Sequence, residues 1–230
     1  MRRIVWLFIL AAFAAAPAQE GWLVPFAAAY QPDLGSFNKR FTKYSIPEAN
    51  TREYGWGIEL RSLVNGLLVG PMFFRTWDDA SNNSFQLRTE ATCILGEVGL
   101  KIAPVKFLTI VPMVGAGGLN QSFSIRAQTG DLNLDTLLSE PGQNATISSG
   151  MKLAGLAALE IGLSVPATSG RYGLTLRGGY IYSPLSVTWH LSNGAKLKDT
   201  PNTKVGGLFF SAGILILPAP EMGSSTGGIH

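Results

Sequence analysis

The sequence predicts an all-β protein, an eight-stranded antiparallel up-and-down transmembrane β-barrel that follows a cleaved signal peptide. Three observations predict it. Bulky apolar residues alternate with small or charged ones at a period of two along most of the chain. No segment after the amino-terminal leader has the length and apolarity of a membrane-crossing helix. The links between alternating segments are short and long in turn, as the two ends of a membrane barrel require.

The leader comes first. Arg2 and Arg3 precede an apolar run from Ile4 to Ala16, too short to span a bilayer, and Ala16-Pro17-Ala18 supplies the small residues of a cleavage site. Residues 1–18 therefore read as a secretory signal peptide, 19–217 as the barrel and 218–230 as a carboxy-terminal tail. Removing the leader lowers the formal charge from +3 by two, so a basic surface for nucleic acid is not indicated. Cys93 is the single cysteine and there are two histidines, too few for a disulfide or a structural zinc site. The run Val114-Gly115-Ala116-Gly117-Gly118 lacks the strand–turn–helix setting of a phosphate loop and reads as strand. No metal and no cofactor is expected.

The strands are placed near 21–31, 52–64, 67–76, 88–103, 106–125, 148–165, 170–189 and 204–217. In the second, Tyr54, Trp56, Ile58 and Leu60 oppose Gly55, Gly57, Glu59 and Arg61. Pro71 and Pro112 interrupt the third and fifth and predict a bulge or an edge-like site. In the sixth, Leu153, Leu159, Ile161 and Leu163 oppose Lys152, Glu160 and Gly162; in the seventh, Leu174, Leu176 and Tyr180 oppose Thr175, Arg177 and Gly179. In the eighth, Phe210 and Ile214 stand on the bulky face. Val64-Asn65-Gly66, Pro104-Val105 and Ala167-Thr168-Ser169 are the tight links, whereas 32–51, 77–87, 126–147 and 190–203 are long. Eight strands leave both termini on the periplasmic side.

The two faces separate lipid from lumen. A soluble sandwich would send its charged face to water, but here the second face is rich in glycine and small residues with isolated charges of both signs. A narrow barrel needs such residues inside. Leu159, Ile161, Leu174, Leu176, Phe210 and Ile214 are assigned to lipid, with Tyr172 and Tyr180/Tyr182 in the two aromatic girdles. Glu59, Arg61, Glu97, Lys101, Lys152, Glu160 and Arg177 are assigned to the lumen, with Glu59, Glu97, Glu160, Lys152 and Arg177 in mutual contact. They form either a polar plug in place of an apolar core or a path for protons or ions.

These features together resemble the small outer-membrane barrels of the OmpA and OmpX type. The resemblance covers nearly the whole chain after the leader, by pattern and without a diagnostic motif. It implies a Gram-negative outer membrane, contact with its lipid, insertion by the barrel-assembly machinery, a monomer, and a structural or surface-interaction role through external loops rather than catalysis. A narrow channel and a lipid-binding barrel are the other roles considered. The chain departs from the type at its end, where Phe209 and Phe210 lie inside the last strand and no terminal aromatic closes it.

A second, local resemblance is to the outer-membrane lipid A 3-O-deacylases. It rests on His190-Leu191-Ser192-Asn193 followed by Pro201-Asn202. It implies His190 as base and Ser192 as nucleophile on an acyl ester, with Asn193 beside them. A serine hydroxyl needs a base, and the base an orienting acid. The acid that such enzymes carry early in the last strand is absent, because Lys204-Val205-Gly206-Gly207 stands there, and Asp199 is the nearest carboxylate. A strand running unbroken from Arg171 would also lift His190 roughly 45 Å above the periplasmic turn, beyond an apolar band about 25 Å tall. The competing reading makes Ser192-Asn193-Gly194 the start of a turn in an external loop.

Overall fold

The computed structural model describes residues 20–127, 144–167, 170–197, 200 and 204–218. Eight long strands form the wall: β1 Glu20–Pro32, β2 Glu53–Val64, β3 Leu67–Ser81, β4 Phe85–Leu100, β5 Leu108–Ala127, β6 Lys152–Ala167, β7 Gly170–Tyr182 and β8 Gly206–Pro218. Each pairs antiparallel with its chain neighbours, and β1 closes on β8 through Leu23↔Ile216 to Pro32↔Gly207. Closure leaves no long edge unpaired, which is what allows a sheet to face hydrocarbon. The expected eight-stranded up-and-down barrel is the fold. At the tight link between β2 and β3, Asn65 and Gly66 take φ values of 51° and 82°, the left-handed pair that an Asn-Gly hairpin favours.

Several boundaries differ from expectation, each for a local reason. The link at 77–87 is not a long loop: β3 and β4 continue as a hairpin to Ser81↔Gln86, closed where Asn82 Oδ1 accepts the amides of Ser84 and Phe85 at 2.9 and 2.8 Å. The first external link folds a helix, α1, over Gly35–Lys43. The expected strand 148–165 is two pieces. A short strand Asn144–Ser148 pairs with the outer end of β5, Gly150 turns at φ 62°, and β6 then begins at Lys152. The seventh strand stops at Tyr182 instead of 189, just ahead of Pro184, and the chain returns as the two-residue strand His190–Leu191 against Ile147 and Ser148.

The prolines do not produce bulges. Pro71 pairs with Gly96 on one side; on the other the β2–β3 ladder lapses between Glu59↔Met72 and Ser62↔Val69 and resumes in the same register. Pro112 pairs with Leu159, and the β4–β5 pairing ends beside it at Gly99↔Met113. A residue without an N–H donor costs rungs and leaves the register alone. The one irregular register in this region lies below, between Ile102 and Val105 of a short strand that folds back on β5.

The interior is filled in layers. Toward the end that carries α1, Phe26, Tyr30, Phe74, Phe123, Phe209 and Trp189 belong to one buried apolar cluster. At the opposite end, Trp22, Val24, Leu68, Val111, Met113 and Leu215 form another. Between them lies a single ionic layer. This corrects the expectation of small inward residues around a polar plug. Large side chains enter from β1, β3 and β5, and glycines on neighbouring strands make room; a Cβ on Gly57 would lie 2.2 Å from the Phe26 ring.

The outer face is apolar where it meets lipid. Leu159, Ile161, Leu174, Leu176, Phe210 and Ile214 are all exposed, as are Tyr54, Trp56, Tyr180 and Tyr182 toward one end and Tyr172 toward the other. On β3 and β4 the belt ends at the surface ion pairs Arg75–Glu90 (2.7 Å) and Arg88–Asp79 (3.7 Å). Leu159→Arg and Ile214→Arg are expected to destabilise the inserted barrel by about 2–4 kcal/mol near the midplane. Reversible denaturation in phospholipid vesicles reads this; variants as stable as the parent would show that these faces do not meet lipid.

Candidate functional site

The ionic layer draws on four strands. Arg61 Nη1 and Nη2 donate to Glu160 Oε1 (2.6 Å) and Glu59 Oε2 (2.7 Å), and its Nε also reaches Glu59. Arg177 donates to Glu97 Oε1 at 3.1 Å, to Glu160 Oε2 at 2.9 Å and to Glu59, while its Nη1 lies 3.2 Å from Met72 Sδ. All five side chains are buried. Two guanidiniums thus serve three carboxylates. Glu59 and Glu160 are each gripped by both arginines, whereas Glu97 pairs with Arg177 and is hydrogen-bonded to the Glu59 carboxyl. Period-two parity brings these residues inward, and the barrel register places β2, β4, β6 and β7 around one level.

The other two cations assigned to the lumen stand apart. Lys152 is half-buried at the outer start of β6 and has no contact with the network among the described residues. Parity assigns a side and not a depth, and Lys152 lies at the opposite, outer end of β6 from Glu160, level with Leu119 of β5. Lys101 lies beyond the end of β4, its ammonium 4.8 Å from the Trp22 ring centre. Glu53, which sequence reasoning passed over, is buried at the outer end of β2 and accepts from Thr76 Oγ1 at 2.9 Å.

The outer mouth is closed by aromatic side chains from two links. Helix α1 is amphipathic: Phe37 and Phe41, one turn apart, face the barrel, while Lys39, Arg40 and Lys43 are exposed. Arg40 and Lys43 in its last turn oppose the negative end of the helix dipole. Asn38 anchors the returning chain, donating to Ala49 O (3.0 Å) and accepting from Ala49 N (2.9 Å). Phe37 meets Phe123 and Trp189 with ring centres 4.7 Å apart in each case. Trp189 is the wedge. It enters from the link after β7 and is 1% exposed. The sequence signal was present, a tryptophan just ahead of the His-x-Ser-Asn stretch, but nothing local marks which way it points.

His190, Ser192 and Asn193 flank that wedge at the rim. His190 is opposite Ser148, itself opposite Ser122, where the outer face of β5 reads Asn120, Ser122 and Ser124. The segment thus belongs to a polar extension of the wall and not to a continuous seventh strand, so the height reckoned from such a strand does not apply. Ser192 is exposed and its amide donates to Thr146 O at 3.1 Å; Asn193 Oδ1 accepts from Ala195 N at 3.0 Å, and Gly194 turns at φ 84°. Neither His190 nor Ser192 makes a side-chain hydrogen bond among the described residues. Asp199, Pro201 and Asn202 lie outside them. The parent protein and Ser192→Ala alike are expected to leave lipid A incubated with them in detergent unchanged by mass spectrometry. Loss of one 3-O-linked acyl chain, abolished by that substitution, would establish the deacylase.

The chain matches no family model and no curated protein sequence. Solved structures do resemble it. Ail, the attachment invasion locus protein of Yersinia pestis, superposes with a TM-score of 0.50 at 14% identity, over 86% of this chain and 98% of Ail. A major outer membrane protein from Thermus thermophilus gives 0.48 at 13% identity, covering 85% and 99% of the two chains. Neisserial surface protein A gives 0.43 at 14%, covering 85% and 96%. The likeness to Ail is one of fold. Closed register and exposed apolar belt define the class, a small transmembrane β-barrel of the fold seen in Ail.

Proposed function

We propose that this protein is a monomeric structural and surface-interaction barrel of the bacterial outer envelope, with a sealed interior and its working surface on the external links. One observation supports this above the others. Side chains cross the lumen in layers, with an apolar cluster, the five-residue ionic layer and a second apolar cluster that includes the aromatic cap at the mouth. An ionic layer whose members satisfy one another offers no continuous wet path, and paired buried charges act as internal cross-ties between strands. Single-channel recording of the purified protein in a planar bilayer tests the reading. No stable porin-sized conductance is expected; large, stable openings from the intact protein would overturn it.

A further inference from the structure

We propose that the outer wall binds one glycolipid of the outer leaflet, its acyl chain in a groove across β1, β8 and β7 and its sugar head in a cleft beside α1. The groove, about 700 Å³, is floored by Ala27, Ala29, Gly178 and Ala212 and walled by Leu176 and Tyr54. Small side chains are here sunk into a face that is otherwise bulky. The groove spans the outer half of the wall: Ala212 is opposite Leu176, midway between Tyr172 in one girdle and Tyr180 in the other.

The groove does not end blindly. On three adjacent strands the next residues outward on the same face, Gln31 after Ala29, Leu208 after Phe210 and Tyr180 after Gly178, line a second cavity of about 330 Å³. This cleft is polar where the groove is not, with Gln31, Asp33 and Thr51 on its walls and the start of α1 above. The two together match an amphiphile lying along the wall with its head at the membrane edge.

The cleft also selects the head. The Asp33 carboxylate accepts hydroxyl hydrogens and repels a bare phosphate, whereas Gln31 and Thr51 both donate and accept. Hydroxyl-rich sugars fit this set better than a phosphodiester. The site lies apart from the lumen and goes beyond the sealed-barrel reading.

The test uses the full chain folded in detergent and incubated with either a neutral diglycosyl diacylglycerol or phosphatidylglycerol, with retained lipid counted by native mass spectrometry. Heat-modifiable gel migration confirms that each variant is a folded barrel, and so separates a failed site from a failed fold. One retained diglycosyl diacylglycerol is expected, in preference to phosphatidylglycerol. Retention should fall about tenfold in Ala212→Phe, the loss of roughly two buried methylenes. It should fall in Asp33→Ala and stay unchanged in Val98→Phe on the far wall. Ala29→Leu replaces Ala212→Phe should the latter not fold. Retention unaffected by filling the groove, a preference for phosphatidylglycerol, or a dimer dissolved by Ala212→Phe would each overturn the proposal.

Discussion

Replacing Arg177 by methionine is expected to destabilise the barrel by about 3–5 kcal/mol, the usual cost of stranding buried charge. Arg177 is the guanidinium that pairs with Glu97 and one of two that pair with Glu59 and Glu160, so its loss leaves three carboxylates around Arg61. Glu97→Gln should cost far less, since it leaves two carboxylates to two guanidiniums and the amide still accepts from Arg177. The double variant Arg177→Met/Glu97→Gln is expected to recover part of the loss. Guanidinium unfolding in vesicles, followed by tryptophan fluorescence, measures all three. Equal stability of Arg177→Met and parent would show that the network does not hold the strands together.

Trp189→Ala is expected to loosen the cap by about 3–5 kcal/mol, the range for truncating a fully buried large aromatic. The effect should be local. Phe37 and Phe123 lose their shared neighbour, while the wall strands keep their ladders. Amide hydrogen exchange over 35–43 should therefore quicken by about two to three orders of magnitude, with the exchange of β2 and β7 unchanged. Ser192→Ala, three residues away on an exposed turn, should alter neither. Unchanged exchange in α1 after removal of Trp189 would mean that the barrel rim alone holds the helix.

These two sites differ in how much of them a reader of the sequence can see. Period-two parity is a property of the backbone, so once a segment is a strand, the sides taken by Glu59, Glu97, Glu160 and Arg177 follow from counting. The same counting puts Leu159, Leu176 and Ile214 outside. It fails for Lys152, because parity assigns a side and not a depth, and that residue stands at the outer end of β6, far along the strand from Glu160. Which cations reach which carboxylates depends on the register of strands far apart in sequence, as with Arg61 and Glu160.

The sequence by itself determined the class of fold, the number of wall strands, the Asn65-Gly66 turn and the outward-facing set, since alternation and turn chemistry are local and repeated. The tight link expected at Pro104-Val105 is instead the end of a short strand, Ile102–Val105, with the turn at Lys106 and Phe107. Tertiary structure alone decided the rest. The long links carry no period to count, so their inward helix and wedge are set by what the barrel mouth leaves unfilled. Phe37 and Trp189 are far apart in the chain and meet only because both complete one apolar cluster. At the rim the His-x-Ser-Asn stretch follows directly on the tryptophan that closes the mouth. Burial of a large aromatic depends on the space that closed strands enclose, and no stretch of sequence specifies that space before the sheet has closed on itself.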